Sequence, residues 1–417
     1  MLTLHWPQQL SWDVSISGSK NAALPLIASS LYFKESVLEN VPRIGDVFTF
    51  LKIIESLGVK VNFSGNTLTM DTENMSIDTL DLCLIKKIRV GIFLIPILLE
   101  RFGKVEIPFP GGCNIGKRPI DEHIHWFEKM GYTNESYDDI VKFTGKYSEE
   151  SISLSAGFAV TATENMIIAN VFRPGKTTIE LAAIEPHVLN LIHFFQQTGA
   201  NITVEYNHVI TIIWVQEKPM KSHGSVIHDY IESGTFVIFW ALASNPYIDI
   251  HHARIEDLRA FLFKCSEAWV RWEDLWDDTL RVHNSRETLK SIAIQTNIFP
   301  GFPTDLQSPF AILLTQAEGI SRIHEVLFEG RLNWLVEIEK MKWHVAIMNP
   351  HEALVFWKTP LRWSTVSSWD LRAGVAMIIA GMISDGDTFI TNVEYIERGY
   401  EDIIGKLGKL WASIKTI

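Results

Sequence analysis

The sequence predicts an α/β protein made of six copies of one helix-strand-helix-hairpin unit, arranged as two domains. Three observations carry that expectation. The chain has 417 residues, 47% of them hydrophobic, which is enough for one or two real cores and rules out global disorder. An apolar, helix-like run recurs six times, ending at Leu31, Leu99, Phe172, Ala243, Leu314 and Met382, at steps of 68, 73, 71, 71 and 68 residues. A fixed period of this kind marks a repeated supersecondary unit. Each run is followed by a short alternating strand.

In chain order the runs are AALPLIASSL, VGIFLIPILL, ENMIIANVF, TFVIFWALA, SPFAILL and GVAMIIAGM, and the strands after them SVLENV, KVEIPF, TTIELAA, YIDIHHA, ISRIHEV and DTFITNV. A second, amphipathic helix and two strand-like pieces close the unit, as in FLKIIESLGVKVNF with NTLTM and VLNLIHFFQQTGANITV with HVITII. No Pro/Gly/Ser linker separates the copies, so the repeats rather than composition place any domain boundary.

Composition limits the ligands. With 37 Lys+Arg against 49 Asp+Glu the net charge is −12, which opposes nucleic acid and anionic lipid as a bulk property. An anionic ligand must therefore be met by a local cluster of cations. Three cysteines (Cys83, Cys113, Cys265) do not make a disulfide framework and point to a reducing compartment. No signal-like N-terminus and no stretch of 18 uncharged apolar residues occurs, so a cytoplasmic protein with no membrane and no nucleic-acid partner is expected. Zinc-ligand spacings and the two common nucleotide loops are missing, and neither metal nor cofactor is expected.

Four features can carry chemistry. FPGGCNIGKRPIDEH (109–123) is a Gly/Pro-rich loop in which Lys117 and Arg118 flank Cys113 and favour its thiolate, so the cysteine is either a nucleophile or proton donor or an inert surface thiol. SGSKN places Lys20 and Asn21 at the first helix's N-terminus, which reads as an anion site or an ordinary Ser cap. FPTDLQ puts Asp305 at a helix start, as N-cap or general base. Arg89, Arg331, Arg372 and Arg398 recur near unit boundaries, where they are solvated surface groups or planar donors for phosphate and carboxylate.

These segments, with ISGSKNAALP, TATEN, the ESGTF stretch after Asp229, FEGR, DLRAG and ERGYE, resemble the UDP-N-acetylglucosamine enolpyruvyl transferases, of the superfamily that also contains EPSP synthase. The resemblance runs from about Leu10 to Ile414. It implies two inverse α/β barrels of three units each, residues 20–228 and residues 1–19 with 229–417. It also implies enolpyruvyl transfer from phosphoenolpyruvate to the 3-hydroxyl of UDP-N-acetylglucosamine, the first committed step of peptidoglycan precursor synthesis, by a monomer or weak oligomer. Lys20, Arg118 and Arg398 would hold the phosphate and carboxylate of phosphoenolpyruvate, supported by Arg89, Arg331 and Arg372. Cys113 would protonate the enol carbon and be the target of fosfomycin. Asp305 would deprotonate the sugar hydroxyl and Asn21 orient the sugar, with Asp121, His123, Val160, Glu329 and Asp370 on motif positions near the site. Departures at Glu122, Ala159–Thr163 and His187 fall on the acceptor side, which leaves open a different nucleotide or sugar acceptor. A non-catalytic sugar-nucleotide-binding paralogue is the rival from another class.

Tryptophan is in excess: 14 residues are about 3.4% of the chain, while the 25 glycines are slightly under the usual share of about 7%. Trp6, Trp12, Trp126, Trp214, Trp357 and Trp363 stand where the resembled family has glycine. Trp269, Trp343 and Trp411 fall where other units keep Gly58, Gly131 and Gly199 at a helix end. Glycine enters the left-handed region freely at a helix C′ position, whereas tryptophan is strained there. Either the lineage has diverged, or a host that reads UGA as glycine makes a protein with glycine at these positions.

Overall fold

Each apolar run is a helix in the computed structural model, which describes residues 2–5, 13–109, 111, 121–147, 151–214, 218–356, 358, 360–410 and 413–416. The six are α1 (Lys20–Ser30), α2 (Leu94–Phe102), α3 (Val160–Asn170), α4 (Tyr230–Ala241), α5 (Gln307–Thr315) and α6 (Leu371–Met382). Every residue of α4, α5 and α6 is buried. A helix that is apolar on all sides belongs inside a core, and these have no polar stripe to turn outward. The helix that follows in each unit is one-sided: Gly45–Ser56 buries Val47, Phe50, Leu51, Ile53 and Ile54 and leaves Lys52 and Glu55 to solvent.

The strands after the central helices form where the alternation places them, at Glu35–Glu39, Lys104–Pro108, Lys176–Glu180, Tyr247–His251, Ile320–His324 and Thr388–Thr391. Around them lie five sheets of four strands and one of three among the described residues. In the four-stranded sheets the post-helix strand pairs antiparallel with the hairpin on one side and parallel with a short extra strand on the other. Thus Thr178 faces Thr211 of the hairpin and, across the parallel edge, Ser153. The sequence reading misses these edge strands, which are only three to five residues long and too short for their alternation to register.

Two edge strands are exchanged. Asp13–Ser15 precedes α1 but pairs with Tyr247–His251, the strand after α4 (Val14 opposite Ile250). Lys221–Ser225 precedes α4 but pairs with Glu35–Glu39, the strand after α1 (His223 opposite Val37). The chain accordingly forms one unit from Gly18–Gly112 with Arg118–Ile227 and another from Met1–Ser17 with His228–Ile417, changing unit between Ser17 and Gly18 and again between Ile227 and His228. The sixth repeat, whose own hairpin would need two strands, uses Ser413–Thr416 and the opening strand Leu2–His5 instead (Thr3 opposite both Lys415 and Phe389).

Each unit has its own apolar core. That of the first is built on α1, α2 and α3, with Phe33, Phe50, Phe143, Phe194 and Phe195 fully enclosed; that of the second on α4, α5 and α6. Gly234 of α4 lets that helix approach the next repeat, since a Cβ there would stand 2.4 Å from a methyl of Leu306. No helix among the described residues is long and apolar enough to cross a membrane.

The helix ends bear on the tryptophans. Gly58, Gly131 and Gly199 have φ of 84°, 98° and 93°, and Trp269 occupies the matching place with φ 66°. The expectation for Trp343 is corrected: the left-handed residue there is Lys342 (φ 64°), and Trp343 is buried one position later. Trp126 and Trp363 keep negative φ and Trp214 likewise, so nothing in their backbone calls for glycine. Trp6, Trp12, Trp357 and Trp411 lie outside the described residues.

Candidate active site

Asp305 sits in the short 3-10 turn Thr304–Leu306 that leads into α5, and it does not cap the helix; the N-cap position is Leu306, with no side-chain cap bond. Its carboxylate is instead taken by two arginines. Arg331 Nη2 donates to Oδ1 at 2.6 Å, while Arg372 donates to Oδ2 through Nε at 3.0 Å and Nη2 at 2.9 Å. The three come from segments up to 67 residues apart. Arg372 is placed by its own backbone: Asp370 caps α6, accepting from Arg372 N at 2.7 Å and Ala373 N at 2.8 Å, which fixes the residue at the first turn.

The electrostatics of this cluster are one-sided. Arg331 and Arg372 are 4% and 2% exposed, while Asp305 is half-buried. Burial by itself would pull the two guanidinium pKa values down, but for Arg372 the Tyr400, Asp305 and Asp229 side chains outweigh it, and for Arg331 Asp305, Asp370 and Glu325 do the same. Both stay firmly cationic. The Arg372 guanidinium also lies 5.2 Å from the centre of the Tyr400 ring, whose hydroxyl meets Thr235 Oγ1 at 3.0 Å. Two buried, permanently charged planar forks beside one half-exposed carboxylate can hold a carboxylate or phosphate and accept a proton next to it. Arg398 follows the helical turn Glu394–Glu397 and is half-buried, and Glu329, two residues before Arg331, is exposed.

The second unit holds another ionic group that the sequence reading does not single out. Glu232 of α4, 3% exposed, takes Lys406 Nζ at 2.5 Å and Ser17 N at 2.9 Å, and Lys406 also donates to Ser17 Oγ at 2.7 Å. Burial pushes the Glu232 carboxyl up, and Lys406 pulls it back. Lys406 has no distinguishing sequence signal; it is one lysine on an amphipathic terminal helix.

In the first unit, Lys20 opens α1 and its Nζ reaches Asp46 Oδ2 at 3.1 Å. The Ser-Gly-Ser segment does not act as a side-chain cap, because Ser19 makes no cap bond and spends its backbone N–H on Ile227 O at 2.7 Å. The ordinary-cap alternative is thus excluded, leaving the α1 first turn with its positive end and a lysine. Asn21 and Val160 stand half-buried in the first turns of α1 and α3, and Arg89 begins the 3-10 segment Arg89–Phe93 before α2.

His123 is 5% exposed, and its Nδ1 lies 3.1 Å from Asn165 Nδ2. Burial, and then the Arg89 charge, lower its pKa to about 3. The imidazole is therefore neutral at working pH, with Nδ1 paired to the Asn165 side-chain amide. A histidine kept neutral by the fold costs stability once the unfolded chain protonates, so stability should fall as pH drops below about 6.5. Imidazole NMR shifts of His123 that stay flat from pH 8 to 5 are the expected result.

Beside Asn165, Glu164 is 3% exposed with Oε1 accepting no hydrogen bond among the described residues. Desolvation, and then the charge of Glu185, raise its pKa well above the ordinary carboxylate range. Burial favours the neutral acid, for which Glu164→Gln is a near-isosteric change, and thermal stability at pH 7 within about 0.5 kcal/mol of the parent is the expected calorimetric result. A charged Glu164 would make the same change stabilising by several times that.

Cys113 and Arg118 lie outside the described residues, and Asp121 and Glu122 are described only as backbone of the helix Asp121–Lys129. His187, one of the acceptor-side departures, is buried in the first turn of Pro186–Gln197.

Comparison with known proteins matches the sequence to one family. A sequence profile of the EPSP synthase (3-phosphoshikimate 1-carboxyvinyltransferase) family covers residues 4–407. The chain is 35% identical to UDP-N-acetylglucosamine 1-carboxyvinyltransferase of Finegoldia magna, over 98% of this chain and 96% of that one. It is 38% identical to the protein of the same name from Prochlorococcus marinus, over 96% and 87%. Among solved structures, the enolpyruvyl transferase NikO from Streptomyces tendae superposes with a TM-score of 0.89 at 21% identity, covering 99% of this chain and 98% of that one, a likeness of fold.

Proposed function

The chain belongs to the EPSP synthase family, and from that premise we propose that it transfers the enolpyruvyl group of phosphoenolpyruvate to the 3-hydroxyl of UDP-N-acetylglucosamine. The observation that carries the reading is Asp305 between the buried Arg331 and Arg372 guanidiniums. Asp305 takes the hydroxyl proton, and the sugar oxygen bonds to C2 of phosphoenolpyruvate while C3 gains a proton from Cys113. The same C3 then loses a proton, the C2–O bond to phosphate breaks, and inorganic phosphate leaves. The substrate carries close to three negative charges, so fixed cations, Lys20, Arg118 and Arg398 among them, lower the barrier most where charge moves onto the departing phosphate. No redox step occurs. Both substrates are charged metabolites of the cell interior, and the enzyme is assigned to the cytoplasm.

The test is a phosphate-release assay. Phosphate freed from phosphoenolpyruvate one-for-one with consumed UDP-N-acetylglucosamine supports the reading. Release with a free nucleotide but not with this sugar nucleotide moves the acceptor assignment, and no release with either leaves the silent paralogue.

A further inference from the structure

We propose that Asp305 is the internal counter-ion of the anion site, displaced from Arg331 and Arg372 by the substrate's carboxylate, so that the base is released only once that anion has bound. The inference rests on the transferase reading above and deepens it. Each guanidinium is at least 96% buried, and the face it turns toward the half-exposed Asp305 is filled by that carboxylate. The donors left over, Arg331 Nε and Arg372 Nη1, meet no acceptor among the described residues and are themselves sealed from water. An arriving carboxylate that takes both forks must therefore compete for the Arg331 Nη2, Arg372 Nε and Arg372 Nη2 donors that Asp305 holds. While held, Asp305 has both oxygens engaged by charged donors and is a poor proton acceptor. Once displaced from the two guanidiniums it loses the charged donors that hold its proton affinity down, beside a bound electrophile. Binding of the anion and activation of the base are then two readings of one exchange, and they are coupled.

This predicts a result that a simple base would not give. Asp305→Asn removes the competing charge, so it should bind phosphoenolpyruvate about fivefold or more tightly, by calorimetry, while failing to turn over. Infrared difference spectra of the parent enzyme labelled with 13C-aspartate should show a carboxylate band that moves on adding phosphoenolpyruvate alone and is missing from Asp305→Asn. Equal or weaker binding by the variant, or binding to the parent without a band shift, overturns the exchange and leaves the transferase reading standing. No binding to the parent removes both.

A separate observation carries a second inference: we infer that Trp269 and Trp276 are glycine in the protein its host makes, the codon written as tryptophan being read as glycine. At three helix ends the same hydrogen bonds close the turn. The glycine N–H reaches back three residues, as from Gly58 to Glu55 O at 2.9 Å, and the next N–H reaches back five, as from Val59 to Ile54 O. Gly131 and Gly199 repeat the pattern, and so does Trp269, with Ser266 O at 3.0 Å and then Val270 to Cys265 O. Four copies of one turn thus hold glycine three times and tryptophan once. Trp276, 81% exposed with φ 70°, is the first of three left-handed residues, with Asp277 (φ 50°) and Asp278 (φ 54°), in the loop between Trp272–Asp274 and Leu280–His283; the shorter hairpin turn of the first repeat has its left-handed residue at Gly65 (φ 55°). Both rings are largely in solvent, at 56% and 81% exposed; Trp269 keeps one contact, the Lys290 ammonium 5.3 Å from its ring centre.

Peptide mass spectrometry of the protein from its native host decides the matter: glycine at 269 and 276 is expected, and tryptophan at either overturns the inference for that position. Recombinant W269G and W276G should each melt about 3 °C higher than the chain as written, because the left-handed strain is relieved. W272G, in a strand with ordinary φ, should melt lower. A fall in all three would contradict the strain on which the inference stands.

Discussion

Asp305→Ala is expected to lower phosphate release at least about 10³-fold at saturating substrates, as loss of a positioned base does. The variant also strands two guanidiniums that are 2–4% exposed without their nearest counter-ion, and uncompensated buried charge costs about 3 kcal/mol. Activity should therefore be read on protein whose circular dichroism matches the parent, below the lowered melting transition. Full activity would remove Asp305 from the mechanism, whatever became of the fold. The stability cost has a second use, because adding an anion that fills the vacated position should return part of the lost melting temperature.

The second large effect belongs to the Glu232, Lys406 and Ser17 group. Lys406→Met leaves Glu232 buried with only the Ser17 N–H beside it. Removing one partner of a buried pair costs about 3 kcal/mol, or roughly 6–12 °C for a unit of this size. The sign with pH follows from burial. Glu232 already has a raised pKa in the folded protein, and without Lys406 it rises further. A group with a raised folded pKa binds more protons folded than unfolded, so the variant regains stability as pH falls. Melting scans at pH 8 and pH 5 should show the deficit shrinking at the lower pH, and Glu232→Gln in the Lys406→Met background should remove most of it. A deficit unchanged with pH would mean the lysine matters for packing alone.

The parts of the fold legible beforehand were those in which burial writes a pattern. The six central helices are apolar all round and the strands after them alternate, so both could be placed from the sequence. The exchange of Asp13–Ser15 and Lys221–Ser225 could not, because three to five residues paired across hundreds of positions leave no local mark. The candidate site divides the same way. Asp305, Arg331 and Arg372 stood out through motifs, yet whether Asp305 capped a helix or faced arginines was a question of tertiary geometry. Lys406 and Asp46 were invisible, since a partner in an ion pair is an ordinary charged residue until the fold supplies its mate. The repeats gave an internal standard that puts Trp269 at a left-handed helix end, as the glycines of other units are, whereas at the corresponding end near Trp343 the left-handed residue is Lys342.

The sixth repeat's dependence on Leu2–His5 sets a timetable for biosynthesis. As the polypeptide leaves the ribosome, residues 18–227 can complete their sheets from their own stretch, since Lys221–Ser225 lies within it. Leu2–His5 cannot: its partners Thr388–Thr391 and Ser413–Thr416 are made more than 380 residues later. A nascent chain of this protein must therefore carry the β-prone Leu2–His5 unpaired until Thr388–Thr391 and Ser413–Thr416 have been made, and that interval is when chaperone binding and misassembly should concentrate.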